Sequence, residues 1–252
     1  MARRSKDGSV SAMMRELTIA GGGLAGLSLG NALRRAGVNA HVHEAGMYPR
    51  HRVCGEFISG VAGETLDALG ITAALSDACQ NRTIRWFHGD RLVHADELTE
   101  PALGISRFRL DQRLSRSFVD HGGKLSVRSR LAPTDAEGLV WAAGRKARKG
   151  DWIGLKFHCL NLPMTADLEM HVGRSGYAGL ARIEDDRVNV CGLFRCDRSM
   201  KAPGSGLALA YLKSGGLGAL AERLASVERD ESSFLGAAGF QLGRQEAEPE
   251  LL

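Results

Sequence analysis

The chain contains no Cys-x-x-Cys pair, no H-E-x-x-H and no glycine loop ending in Gly-Lys-Ser/Thr. The first absence argues against a zinc site. The second removes a common metalloprotease arrangement, and no nucleophile with a base and an orienting acid is legible, so hydrolysis is not expected; the last absence argues against NTP hydrolysis. The five cysteines (54, 79, 159, 191 and 196) are odd in number and scattered, which fits free thiols in a reducing cytoplasm. Internal repeats and low-complexity tracts are missing as well. The longest stretch without a charge, Leu17 to Leu33, is rich in glycine and carries Ser28 and Asn31, so it makes a poor membrane span and no integral membrane segment is expected. Charge of one sign is scarce too. The net +4 sits largely in Arg3, Arg4 and Lys6 and in the run 145–149, which read as solvated segments and not as a nucleic-acid surface. His41 and His43 flank Val42 and should share a strand face, but no further ligands stand out beside them, so no metal is expected.

What is present is 252 residues, 44% hydrophobic and 25% charged, enough to bury a core as one large or two small domains. The most informative stretch runs from Ile19 to Glu44. Gly21, Gly23 and Gly26 form G-x-G-x-x-G directly after the short apolar run Leu17–Ala20, and Glu44 ends a second short strand about 20 residues on, the spacing of a dinucleotide fold. Each residue type has a task there. Gly21 lets the chain turn out of the strand, Gly23 lets the backbone approach a pyrophosphate, and Gly26 lets the helix pack on the sheet. Glu44 can accept a hydrogen bond from a ribose hydroxyl, and the helix N-terminus offers N–H groups and a partial positive charge to phosphates.

Leu24, Leu27, Ala32 and Leu33 give a helical stripe stopped at Gly37, and Val38, Ala40 and Val42 alternate as a strand. A polar loop over 45–59 follows, then a helical segment over 61–79 interrupted at Gly70. Strands are expected at 83–87 and 92–95 around a Gly89-Asp90 turn, a helix at 110–121 stopped by Gly122-Gly123, and strands at 124–127 and 138–143. Further strands at 154–159, 168–172, 178–183 and 188–194, with Asp185-Asp186 as a hairpin turn, predict a second, antiparallel sheet. A helix over 205–227 broken at Gly215-Gly216 and a last strand at 234–241 precede an acidic tail. Residues 1–14 read as a disordered lead-in, in which Met13 or Met14 is a possible natural start.

With these segments in hand, the chain resembles the FAD-dependent oxidoreductases of the geranylgeranyl reductase-like group, relatives of the flavin hydroxylases and halogenases. Four stretches carry the resemblance: the fingerprint through Glu44; R-H-R-V-C-G-E-F-I-S (Arg50 to Ser59), similar to a Cys-Gly-Glu loop beside the flavin ring; I-S-R-F-R-L-D-Q-R-L (Ile105 to Leu114), similar to an Arg-x-x-Leu-Asp-x-x-Leu helix start; and V-W-A-A-G-R (Val140 to Arg145). The segment Gly176 to Leu180 is similar to their substrate-domain sheet, where Tyr177 reads as core or pocket lining. The Cys-Gly-Glu loop is the most specific of these.

The resemblance implies an α/β fold: a Rossmann-type FAD-binding domain (15–82 and 105–150) with an inserted antiparallel β-sheet on the substrate side (83–104 and 151–240), and a tail over 241–252. It places Gly21, Gly23, Leu24, Ala25, Gly26 and Glu44 on the ADP portion of FAD, Arg52, Arg107 and Asp111 against the cofactor, and Cys54 near the ring as a candidate catalytic residue. Each has a plainer role. Arg52 can be a solvated loop residue, Cys54 a small buried filler, and Asp111 a carboxylate stabilising the start of a helix. The implied activity is redox chemistry on a small apolar molecule, with reduction of an isoprenoid-type double bond first and ring hydroxylation or halogenation second, and with NAD(P)H as a possible electron donor. Two features depart from the family: its second Gly-Asp segment on the flavin does not occur within these 252 residues, and Ala143 stands where an acidic or hydroxyl residue is usual. A non-catalytic nucleotide-binding remnant and an NAD-dependent dehydrogenase therefore stay open beside the flavoenzyme reading. Oligomeric state and substrate identity are not legible.

Overall fold

A computed structural model describes residues 16–145 and 149–242. The expected lead-in, most of the acidic tail and the middle of the basic run lie outside the described residues. In chain order the elements are β1 (Leu17–Ala20), α1 (Leu24–Arg35), β2 (Ala40–Glu44), β3 (Phe57–Ile58), α2 (Gly63–Leu69), a 3-10 turn (Thr72–Leu75), β4 (Cys79–His88), β5 (Arg91–Gly104), α3 (Arg107–Asp120) and β6 (Lys124–Val127). They continue with β7 (Leu139–Trp141), β8 (Trp152–Leu160), β9 (Leu168–Val172), β10 (Gly176–Ile183), β11 (Arg187–Arg195), α4 (Gly206–Ser214), α5 (Gly218–Ala225) and β12 (Arg229–Phe240). The chain divides into two compact units, one built from the residues up to 47 and 114–143, the other from 48–113 and the residues from 144 on.

The first unit is a four-stranded parallel sheet in the order β6-β2-β1-β7. Its core alternates as the sequence does: Ala40, Val42 and Glu44 point inward and are buried, while His41 and His43 lie on the other face with ring centroids 3.9 Å apart. Their imidazoles bond the hydroxyls of Ser126 and Ser129. Helix α1 packs closely because Gly30 has no side chain; a Cβ there would lie 2.9 Å from the ring of fully buried Phe118. Asn31 donates to the carbonyls of Leu27 and Leu114 and accepts from Ser117, so its burial leaves no unmet amide.

The second unit is an eight-stranded sheet in the order β12-β8-β11-β10-β9-β4-β5-β3. It is antiparallel except at β4–β9, which run parallel. Residues 48–82 and 105–113, expected with the dinucleotide fold, pack in this unit, because β3 and β4 hydrogen-bond to β5. One sheet face is apolar: Leu155 and Phe157 of β8, Val188 and Val190 of β11, and Ala178 and Leu180 of β10 meet Leu212 of α4 and Leu220 and Leu224 of α5. Each such Leu or Phe contributes about 1.5–3 kcal/mol by leaving water. The β10–β11 hairpin turns at Asp185 (φ 59) and Asp186 (φ 53), the left-handed pair that a tight hairpin turn requires.

Helix α3 begins at Arg107, three residues before the sequence pattern suggests, because the Ser106 hydroxyl caps it by accepting from the Arg109 N–H at 3.1 Å. Asp111 therefore lies in the second turn and does not open the helix. Arg145, expected in a solvated loop, stacks its guanidinium 4.0 Å above the Phe240 ring.

Candidate functional site

In the first unit the glycine turn joins β1 to α1. Gly21 takes φ +108, a value that strains any other residue, and a Cβ there would collide with the backbone of Ala142. At Gly26 a Cβ would overlap the Gly21 carbonyl oxygen, so the first turn of α1 folds against the turn itself. Gly23 is the N-cap residue; no side chain caps α1 and no acidic residue lies in its first turn, while Arg34 and Arg35 occupy its last. The N–H groups of that first turn and the positive end of the helix are thus not taken up by a cap. Glu44 is 3% exposed. Its Oε2 accepts from the Gly22 N–H at 3.0 Å and its Oε1 from the Gly46 N–H at 2.8 Å. These bonds orient the Glu44 carboxylate against the turn.

In the second unit, the Cys-Gly-Glu loop lies on the sheet face opposite α4 and α5. Register decides which side chains meet it. Lys156 and His158 alternate with Leu155, Phe157 and Cys159 along β8, and across on β11 they face Cys191 and Asn189. Asn189 donates to the carbonyls of Cys54 (3.0 Å) and Gly55 (2.9 Å). Glu56 holds the loop more firmly. Its Oε2 accepts from His158 Nε2 at 2.6 Å, and its Oε1 lies 3.1 Å from Lys156 Nζ and accepts from the Arg107 N–H. The side chains of Glu56 and Lys156 are both fully buried. Glu56 also takes φ 57, a left-handed conformation that costs a non-glycine residue on the order of 1 kcal/mol.

Lys156 Nζ bonds His51 Nδ1 at 3.1 Å, and the His51 ring stacks on Phe108. His51, Glu56 and His158 lie close enough to ligate a metal ion, an arrangement the sequence reading did not foresee, but the Lys156 ammonium already supplies the cation among them. His51 and His158 line a cavity of about 520 Å3.

Burial, and after it Lys156 and His158 close by, pushes the His51 imidazole down to about 4. Burial alone would raise Glu56; the bond from His158 and the charge of Lys156 outweigh it and leave the carboxyl low. Burial lowers Lys156 despite Glu56. A histidine held low binds its proton more readily unfolded, so the stability it confers is complete above its ordinary 6.5 and is lost as pH falls toward 4. Glu56 adds a loss in the same direction below its ordinary 4.5. Urea unfolding midpoints are expected to fall on acidification through this window, and His51→Gln should flatten the upper part of the curve. An identical slope in both proteins would remove His51 as the cause.

Arg52, Arg107 and Asp111 come together. Arg107 grips fully buried Asp111 with two bonds (2.7 and 2.9 Å), and Arg52 Nε donates to it at 3.2 Å. Asp111 thus positions two guanidiniums. Cys54 is half-buried; its Sγ accepts weakly from the Glu56 N–H at 3.5 Å and lies beside Arg107. Lys156, His158, His51 and Glu56 were missed as a group because they come from segments about a hundred residues apart. The legible signal was Lys156 and His158 alternating inside an otherwise apolar strand.

No protein-family model and no curated protein matches the chain. Solved structures share its fold. It is similar to a flavoprotein/dehydrogenase from Cytophaga hutchinsonii (TM-score 0.67, 14% identity, 88% of this chain on 66% of that one) and to a flavin-dependent brominase (0.69, 16%, 88% on 67%). It is also similar to PqsL of Pseudomonas aeruginosa in complex with 2-aminobenzoylacetate (0.65, 15%, 89% on 74%). The chain spans about two thirds of the length of the first of these. At such identities the likeness is one of fold: a parallel sheet with a glycine turn, joined to a larger, mostly antiparallel sheet.

Proposed function

We propose that this chain belongs to an FAD-dependent oxidoreductase acting on a small organic molecule, by hydroxylating or halogenating a ring in preference to reducing an isoprenoid-type double bond. The observation that carries the reading is the glycine turn: a helix N-terminus without a side-chain cap behind Gly21 and Gly23, with Glu44 fixed 3.0 Å from the Gly22 N–H. Those features suit an ADP moiety, the pyrophosphate on the first turn of α1 at Leu24, Ala25 and Gly26 and the ribose on Glu44. Bound FAD would supply the electron transfer. The cation pair Arg52 and Arg107, held by Asp111, suits a negative charge, the cofactor role that the resemblance gives it. The choice of ring chemistry is supported by the brominase and the 2-methyl-3-hydroxypyridine-5-carboxylic acid oxygenase among the structures of like fold.

The test is direct. Protein purified in the presence of FAD should be yellow and keep its flavin absorption through gel filtration. Folded protein that takes up no flavin from tens of micromolar FAD would leave the nucleotide-binding remnant as the better description.

A further inference from the structure

On the same sheet face as Lys156, several strands across, a second cavity of about 420 Å3 is framed by Trp86, Trp152, Met170, Val172, Arg174 and Tyr177. Register sets these residues side by side. Trp86 of β4 pairs with Met170 of β9, Met170 with Gly179 of β10, Gly179 with Cys191 of β11 and Cys191 with Lys156 of β8. The next row on this face runs Val172, Tyr177, Leu193, Gly154. Gly179 carries no side chain, whereas over Gly154 the side chains of Val53 and Phe240 take up the space. Trp86 and Tyr177 are each 38% exposed, and Val172 36%. Large apolar side chains grouped in one concave patch of a sheet point to a ligand, whereas the same residues scattered singly would not.

The charge of this groove is one-sided. None of the residues that frame it is acidic. Arg174 is exposed and has no acidic partner among the described residues. Its backbone is fixed by donation to the Gly215 carbonyl at 2.8 Å, and its guanidinium lies along the Gly215-Gly216 turn. A planar guanidinium recognises a carboxylate with two parallel bonds, and indole and phenol faces take a flat ring. We infer that this groove binds a planar aromatic or heteroaromatic carboxylate of one or two rings, its ring on Trp86, Trp152 and Tyr177 and its carboxylate on Arg174. This deepens the oxidoreductase reading by naming the substrate class of the same sheet, but binding in the groove needs no cofactor.

Two of the three tryptophans of the chain frame the groove, so the site carries its own reporter. The full chain without cofactor is titrated with quinoline-2-carboxylate, with quinoline-2-carboxamide as its neutral twin and geraniol as an isoprenoid probe, following tryptophan fluorescence and the heat of binding. The acid should quench saturably and bind at least about tenfold more tightly than the amide. Arg174→Gln should cost the acid about tenfold and leave the amide unchanged, and Trp86→Phe together with Trp152→Phe should remove the quench. Equal affinity for acid and amide, tighter binding of geraniol, or an acid affinity indifferent to Arg174→Gln would overturn the inference. So would absence of saturable binding to protein shown to be folded, or sedimentation as a dimer that Trp86→Asp dissociates. Acid binding without FAD uptake would sink the oxidoreductase reading and leave the groove standing. FAD uptake without acid binding would do the reverse.

Discussion

Replacing Lys156 by methionine should destabilise the protein by about 3–5 kcal/mol, the usual cost of stripping one partner from a buried ion pair. The size follows from what stays behind. Glu56 is fully buried, and its Oε1 would keep only the Arg107 N–H once the ammonium at 3.1 Å is gone. Left without that cation, the carboxylate would take up a proton more readily, and a neutral carboxyl loosens the 2.6 Å bond that pins the loop to β8. Glu56→Gln should cost a similar amount for the mirror reason, an ammonium buried against a neutral amide. The double variant is the informative protein. With both charges removed no uncompensated ion remains, so it should recover about 1–3 kcal/mol relative to the sum of the single effects. Guanidinium unfolding of the four proteins checks this, and each single variant should also melt roughly 10 °C lower. A Lys156→Met protein within about 1 kcal/mol of the parent would mean the pair does not anchor the loop.

The first unit was largely legible because local rules suffice there. Glycine spacing marks the turn, β-alternation marks β2, and the stop at Gly37 marks the end of α1; the strand expected from Val38 to Glu44 begins at Ala40, since the Val38 N–H still bonds the Leu33 carbonyl of the helix. The hairpin at Asp185-Asp186 and the break at Gly215-Gly216 were readable for the same reason. Local rules fail where a distant partner decides. β4 and β5 run well beyond the expected segments because they pair with each other along nearly their whole length, and β4 also finds β9 in parallel, a choice no residue pattern within β4 announces. The helix expected over 61–79 is cut to Gly63–Leu69 and a short turn, and Cys79 leaves it to begin β4. Asp111 shows the limit at a site residue. Its sequence position suggested a helix start, whereas the Ser106 cap moves the start back and turns Asp111 into the shared anchor of Arg107 and Arg52. The cluster of His51, Glu56, Lys156 and His158 required the strand register of β8 and the course of the loop together, and the sequence shows neither.

The second large effect belongs to the glycine turn. Gly26→Ala adds one methyl group where the Gly21 carbonyl oxygen already stands, and both atoms belong to rigid backbone rather than a yielding side chain. Either α1 shifts away from β1 or the turn opens; in both cases the first-turn N–H groups leave the place where a pyrophosphate would lie. The loss in affinity for an ADP-bearing cofactor should be tenfold or more, equivalent to at least about 1.4 kcal/mol. Far-UV circular dichroism of the variant should stay close to that of the parent, because the second unit has its own core between the sheet and α4 and α5. Unimpaired cofactor affinity in a folded Gly26→Ala protein would show that the turn is not where the nucleotide binds.

Whether the stretch from Gly21 to Glu44 seats the ADP half of FAD is read by a competition titration. Cofactor-free protein is titrated with FAD while flavin fluorescence is followed, and ADP or riboflavin is then added to displace it. One FAD should bind per chain, displaced by ADP and far less readily by riboflavin. Folded protein that binds no ADP-bearing nucleotide at tens of micromolar, or FAD that riboflavin displaces and ADP does not, would contradict it.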